Sequence, residues 1–145
     1  MKITLDKTGN IYKTILNGLT KSEREEIYRN DLTVGIYDND NNFLAGIIFH
    51  THNKYTIYLT VYAKSPRWFT REFDKWIYQY IFKDLKYKKI GCHCSSSNQK
   101  SKRFLDKYGF CFEGVERYSR KDGSHNFIYG ITEEEFFNKR IKRYG

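Results

Sequence analysis

Proline occurs once in this 145-residue sequence, at Pro66, and neither a low-complexity tract nor an internal repeat interrupts it. With aromatics at 18% of residues, a disordered chain is excluded, because enough apolar area is present to offset chain entropy on folding. No apolar stretch approaches the roughly 18 residues that a membrane span requires. Met1 to Asn10 also lacks the apolar run of a signal peptide. The chain is therefore expected to be soluble and cytoplasmic, with no membrane partner. Cysteine is limited to Cys92, Cys94 and Cys111, an odd count that points to reduced thiols when no secretory signal is present. Cys92-His93-Cys94 invites a zinc reading. However, no second Cys/His pair stands at finger spacing, and His50 and His52 lie far away in sequence, so no metal is expected. If the run is a strand, the two thiols share one face and His93 points to the other.

What is present is length and positive charge. A chain of this size buries roughly 68–70% of its unfolded surface, so one domain over residues 1–145 needs no covalent or metal staple. Lys and Arg outnumber Asp and Glu by 26 to 17, a net charge of +9. That excess has two readings. It attracts a polyanion, whether nucleic acid, an acidic protein or a cofactor. Alternatively it only keeps the surface solvated. A nucleic-acid surface also needs exposed rings among the cations, and Tyr12, Tyr28, Tyr87 and Tyr144 are the candidates.

Periodicity sets the element order. Lys2 to Leu5 alternates as a short strand, and Ile11, Ile15, Leu16 and Leu19 share one helical stripe. Ser22-x-x-Glu25 has capping-box spacing, which predicts a second helix reaching about Asn30. Leu32 to Tyr37, Phe43 to Phe49 and Tyr55 to Ala63 read as an antiparallel meander around two polar turns. From Thr70 the period changes: Phe73, Trp76, Ile77, Tyr80 and Ile81 form the apolar face of a helix ending near Leu85. Lys89 to Cys94 is a strand. Ser97 is placed to cap a helix from Asn98 to Tyr108, which Gly109 ends in a left-handed conformation. Phe110 to Tyr118 and Asn126 to Ile131 flank a turn at Lys121 to Ser124. Glu133 to Arg143 is a terminal helix, acidic first and basic last.

Within this order, Asn98, Ser101, Lys107, Gly109, Phe110, Glu113, Gly114 and Arg117 stand at defined spacings along a helix, turn and strand. Together with the element order, this segment resembles the GNAT (GCN5-related N-acetyltransferase) family. The Asp122-Gly123 turn and the run Thr132-Glu133-Glu134-Glu135-Phe136 are similar to the family's ending, so the match covers about residues 55–137. The resemblance implies an α/β (α+β) acyl-CoA N-acyltransferase fold, with a mixed sheet of six to seven strands flanked by helices. It also implies acetyl-CoA as cosubstrate and an amine as acceptor.

Ser65 to Glu72 occupies the place of the family's pyrophosphate loop. Members put glycines there so that backbone N–H groups at a helix start can wrap a diphosphate. Here Trp68 and Thr70 stand near the expected glycines, and close backbone approach becomes harder. The pattern Arg67-Trp68-x-Thr70-Arg71 is similar to GNAT-like proteins of bacteriophages. Two readings follow. Either Arg67 and Arg71 supply the charge, helped by the helix dipole, or the loop is degenerate and CoA binds weakly or not at all.

Direct acetyl transfer needs a donor for the oxyanion, a route for the amine proton and an acid for the sulfur. By resemblance, the third strand of the meander and the strand from Lys89 diverge after Tyr62 and Cys94. The main chain of Thr60, Val61, Tyr62 and Ala63 then meets the cofactor. Arg67, Trp68, Thr70, Arg71, Asn98, Ser101 and Phe104 complete the implied contacts. The Tyr that many members place seven residues after the motif Asn is Leu105 here, and Ser101 takes its place as acid. For a base the sequence offers Glu113, Glu116, Asp122, His125, His50 and Tyr58. His125 titrates near neutrality. Strands zipped along their whole length, or Trp68 filling the opening, would remove the catalytic reading.

The expected function is acetyl-CoA-dependent N-acetyl transfer to a protein or small-molecule amine. The alternative is a catalytically degenerate binding module of the same shape, for nucleic acid or a host protein. Monomer and homodimer both stay open.

Overall fold

Seven segments of alternating or continuous apolar character pair into one sheet in this computed structural model, which describes residues 1–27 and 31–144. The strands are β1 (Lys2–Leu5), β2 (Leu32–Tyr37), β3 (Phe43–Thr51), β4 (Thr56–Ala63), β5 (Lys89–Ser95), β6 (Cys111–Glu116) and β7 (Asn126–Thr132). Their spatial order is β1-β2-β3-β4-β5-β7-β6, and every pair is antiparallel except β4 with β5. The expected meander and mixed sheet are both present. The polar run after β2 turns as its composition predicts: Asn41 takes φ 65°, and Asp38 Oδ1 accepts from the N–H groups of Asp40 and Asn42.

Two caps differ from the sequence expectation. Helix α1 (Asn10–Gly18) is followed by α2 (Lys21–Glu25), whose capping box is Thr20 with Glu23, not Ser22 with Glu25. The same S/T-x-x-E spacing occurs in two frames two residues apart, and the earlier frame wins. The described helix ends at Glu25; residues 28–30 of the expected extension, Tyr28 among them, lie outside the described residues. Helix α4 (Gln99–Tyr108) is capped by Asn98, whose Oδ1 accepts from Ser101 N–H at 3.0 Å; Ser97, expected in that role, lies one residue outside. Gly109 ends α4 at φ 112°, a conformation that costs glycine little.

Helix α3 (Arg71–Ile77) is capped by Thr70 and widens into a π-helical turn over Tyr78–Asp84, where Leu85 N–H reaches Tyr80 O at 2.9 Å. The terminal helix starts as α5 (Glu133–Phe136), widens through Phe137–Ile141 and tightens at Lys142–Tyr144. Among the described residues, no helix is long and apolar enough to cross a membrane.

Strand alternation gives the sheet two different faces. Val34, Ile36, Ala45, Ile47, Phe49, Ile57, Ile90, Cys94, Tyr129 and Ile131 point into one core with Phe73, Ile77 and Ile81 of the α3 segment, Leu105 and Tyr108 of α4, and Phe136. On the other face, α1 packs Ile15 and Leu19 against Ile48. Gly46 makes that approach possible, since a Cβ there would stand 2.5 Å from Ile15.

Asp74 of α3 is fully buried in the first face and gathers polar groups from three directions. Tyr108 donates to Oδ1 at 2.5 Å, and Arg140 donates to Oδ2 from Nε at 3.1 Å and Nη2 at 2.9 Å. Tyr144 Oη also donates to Oδ2. Burial, together with the carboxylate beside it, pushes the Tyr108 phenol well above its usual range. Removing one partner of such a pair strands the other's charge in the interior. Asp74→Ala is therefore expected to lose about 3–5 kcal/mol in a denaturant titration, whereas Lys83→Ala, which breaks a solvent-screened pair with Glu133, should leave the midpoint nearly unchanged.

Candidate functional site

Strands β4 and β5 share three rungs only, Thr56 with Lys89, Ile57 with Ile90 and Tyr58 with Gly91. Both strands then continue, β4 to Ala63 and β5 to Ser95. The divergence expected after Tyr62 and Cys94 therefore begins earlier, after Tyr58 and Gly91.

Backbone parity fixes which groups face the wedge. Thr56 O accepts from His52 N–H and Lys64 N–H donates to Leu44 O, so even-numbered residues of β4 bond to β3. Tyr55 O accepts from the N–H groups of Lys88 and Lys89, so odd-numbered residues turn toward β5. Groups alternate along a strand: the Leu59 N–H closes the last rung on Gly91 O, and beyond it the Leu59 C=O and the main chain of Val61 and Ala63 face the opening. The main chain of Thr60 and Tyr62, expected there, is committed to β3 through its pairs with Ile48 and Gly46. On β5, Glu133 N–H donates to Lys88 O and Ser96 N–H to His125 O, which assigns even residues to β7. His93 and Ser95 thus face β4 across the wedge.

The segment after β4 makes one tight 3₁₀ turn at Pro66–Trp68 before Thr70 caps α3, its Oγ1 accepting from Phe73 N–H at 3.1 Å. Arg67 is exposed and reaches Asp38 at 3.5 Å, and Arg71 lies over the Tyr144 ring with its guanidinium 5.1 Å from the centroid. These two cations and the free N–H groups of the first turn of α3 suit a polyanion. Trp68 does not lie open beside them. It is 6% exposed, with ring centroids 5.1 Å from Phe73 and 6.0 Å from Phe104 of α4. Phe69 adds contacts to Phe104 at 5.3 Å and Tyr108 at 4.7 Å. The segment that follows β4 is thus bridged by rings to the helix that follows β5, across the outer end of the wedge on that face. The bridge leaves the Leu59 C=O and the Val61 N–H without a ladder partner.

The opposite face carries the polar chemistry. Gly91 has no side chain, and the Tyr58 ring lies against its backbone; a Cβ there would meet that ring at 2.3 Å. Tyr58 also sits edge-on to His93 at 4.5 Å and to His52 at 5.3 Å. Asn126 Nδ2 donates to Glu116 Oε1 at 2.7 Å and lies 3.3 Å from His93 Nδ1, while its Oδ1 accepts from Arg120 at 3.1 Å. Those two charged partners fix the amide's orientation. His93 Nδ1 therefore accepts, and the neutral ring carries its proton on Nε2. The residue as a whole is exposed, yet its ring is tucked between Tyr58 and Asn126. The resulting desolvation pushes its pKa below the usual imidazole range; Glu116 opposes that shift and Arg120 adds to it.

His93 and Asn126 were absent from the sequence candidates, and Glu116 was one of six possible bases. The structure brings these three together. It does not bring Ser101 and His125 together. Ser101 is half-buried in the first turn of α4. His125 pairs with Ser96, roughly 16 Å along β5 from the last β4 rung. Its Nδ1 accepts from Tyr118 N–H at 2.9 Å, so the ring fastens a turn, and its proton-accepting nitrogen is already used. His50 is likewise engaged, with Nε2 2.9 Å from Thr60 Oγ1. Glu113 bonds Lys89 at 2.8 Å, and Asp122 holds Ser124. Asn98 serves as the α4 cap, and Phe104 is part of the ring bridge.

The thiols point as strand alternation requires, Cys92 and Cys94 toward the core and His93 away from it. Burial pushes the Cys92 thiol up to about 12, so it is not a thiolate at neutral pH. Among the described residues, no group of three His, Cys, Asp or Glu side chains could hold a metal ion. The rings proposed for base stacking are engaged too. Tyr12 packs with the α1 cluster, Tyr87 Oη is 3.1 Å from Thr51 Oγ1, and Tyr144 serves Asp74; Tyr28 lies outside the described residues.

By sequence, no family model and no curated protein matches the chain. Solved structures do match it. A spermidine N-acetyltransferase chimera of Vibrio cholerae SpeG and hSSAT aligns with TM-score 0.75 at 14% identity, covering 95% of this chain and 99% of that one. Mutant forms of the spermidine/spermine N-acetyltransferase SpeG from Vibrio cholerae align at 0.72 and 15%, covering 94% and 97%. A GCN5-related N-acetyltransferase from Brucella melitensis aligns at 0.61 and 19%, covering 73% of this chain and 52% of that one. The mixed seven-stranded sheet, its helices and the wedge between its two parallel strands give this chain the fold of the GNAT N-acetyltransferases.

Proposed function

We propose that the chain is an acetyl-CoA-dependent N-acetyltransferase that moves an acetyl group to an aliphatic amine by direct attack. The observation that carries this reading is the three-rung ladder between β4 and β5, which ends with the Leu59 N–H on Gly91 O and leaves the Leu59 C=O and the Val61 N–H facing a wedge. A thioester lying in the wedge would find in the Val61 N–H a main-chain donor of the kind that oxyanion stabilisation needs. Arg67, Arg71 and the start of α3 would hold the diphosphate of CoA by charge, in place of a glycine loop.

On the other face, His93 is kept neutral with its proton on Nε2, so it acts as a hydrogen-bond donor toward the reacting centre and not as the base. The carboxylate of the same cluster, Glu116, takes the amine's proton, directly or through water. Ser101 at the start of α4 remains the candidate acid for the departing sulfur. Glu116 and Glu26, the residue after α2 whose charge also acts on His93, favour a cationic acceptor on this side. Spermidine, named for two of the compared structures, is the first acceptor to assay.

A second reading has its own observation. The Trp68–Phe104 bridge and the glycine-free loop are what a catalytically degenerate module of this shape would show. Calorimetry with CoA, together with transfer of labelled acetyl from acetyl-CoA to spermidine and to lysate amines, separates the two. Millimolar affinity or better plus transfer is expected; no heat at millimolar CoA leaves the binding module. Phe104→Ala takes away the exposed pillar of the bridge and should tighten CoA binding by about threefold or more if the rings restrict access. In the degenerate case it restores nothing.

Glu116→Gln should lower kcat by roughly 10²-fold or more with the fold intact. The imidazole of His93, followed by NMR, should titrate below the usual imidazole range. Because the folded value is lowered, the stability contributed by this ring is complete above the usual imidazole range. It is lost as pH falls toward the depressed folded value. His93→Gln should flatten that part of the stability profile.

A further inference from the structure

The loop ahead of α3 is gripped from one side by the end of the chain. Arg140 lies between two rings, its guanidinium 5.0 Å from the centroid of Phe69 and 4.5 Å from that of Tyr108, while both its Nε and Nη2 bond Asp74. Tyr144 places its ring under Arg71, its hydroxyl on the same Asp74 oxygen, and the Arg140 Nη2 at 3.4 Å. Phe69 and Arg71 flank Thr70, the cap of α3. Both neighbours of that cap are thus held by residues 140–144, and both holding groups are anchored on one buried carboxylate.

This matters because the loop has no glycine with which to mould itself around an anion. Its binding strength rests on where Arg71 points, and an unrestrained arginine on a surface loses several rotatable bonds' worth of entropy on binding. A guanidinium already stacked on a ring is partly ordered. The carboxylate of Asp74, one turn into α3, would also repel a diphosphate if it were not neutralised by Arg140.

We propose that Tyr144 is a positioning residue for donor binding, setting Arg71 at the start of α3 through its ring while Arg140 fixes Phe69 and offsets Asp74. The proposal rests on the acetyl-CoA reading above and goes beyond it by assigning the end of the chain a part in holding the donor.

Calorimetry with CoA and with pantetheine, which lacks the diphosphate and nucleotide, tests this on the wild type, Tyr144→Phe, Tyr144→Leu, Arg71→Ala and the Arg71→Ala/Tyr144→Leu double variant. Tyr144→Leu should weaken CoA binding about three- to fivefold and leave pantetheine within about twofold. Tyr144→Phe keeps the ring under Arg71 and should stay near wild type for both ligands. The double variant should bind CoA no more weakly than Arg71→Ala alone, since the tyrosine acts through the arginine. Equal weakening of both ligands, additive losses in the double variant, or an unchanged Tyr144→Leu would each overturn the assignment. A wild type that binds neither ligand removes the donor-site reading itself, a result separate from binding that ignores Tyr144.

Discussion

Three rungs of parallel pairing hold β4 to β5, and the site depends on their number. A fourth and fifth rung would consume the Leu59 C=O and the Val61 N–H, close the wedge and leave a flat sheet with no exposed main chain at its centre. No rungs at all would separate the meander from the β5-β7-β6 half. The ladder stops where Tyr58 lays its ring across Gly91, and beyond that point each strand keeps its outer partner, β3 for one and β7 for the other. The unpaired groups are therefore held in fixed directions by strands that are fully paired on their far sides. In this way a rigid scaffold presents unsatisfied backbone at its surface without being destabilised as a whole.

The two faces divide the work between them. On one, rings from Trp68, Phe69, Phe104 and Tyr108 close over a buried carboxylate, so the α3–α4 side is apolar and tied together by ring contacts. On the other, His93, Asn126, Glu116 and Arg120 form a part-buried hydrogen-bonded chain centred on the buried Asn126 amide. One strand, β5, supplies both sides by alternation, with Cys92 and Cys94 inward and His93 outward. A single-residue slip of β5 would exchange them and remove the polar cluster entirely.

Much of this was legible in the sequence, for identifiable reasons. The alternation of Ile57, Leu59 and Val61, the helical stripe from Phe73 to Ile81 and the Asn98–Gly114 spacing report on local geometry, and each element they predicted is present. What failed was whatever depended on register. Whether Thr60 or Leu59 faces the wedge turns on the hairpin pairing of His52 with Thr56, which no periodicity in β4 reveals. His93 was visible as the residue opposite the cysteines, but its value comes from Asn126 on a strand far along the chain. His125 looked suitable from its chemistry alone; its position beside Tyr118 makes it a turn fastener. The caps at Thr20 and Asn98 differ from expectation by one or two residues because neighbouring Ser, Thr and Asn offer nearly equivalent acceptors.

The carboxylate of Asp74 also has a consequence for biosynthesis. Its cationic partner and one of its hydroxyls come from residues 140 and 144, roughly seventy positions later in the chain. At ordinary translation rates several seconds separate the appearance of the acid from that of its arginine. During that interval the α3 segment cannot bury its aspartate without leaving a bare charge inside, so it must stay solvated or loosely docked. The interior is sealed only when residues 140–144 have emerged from the ribosome, so the core beneath α3 closes later than the sheet around it.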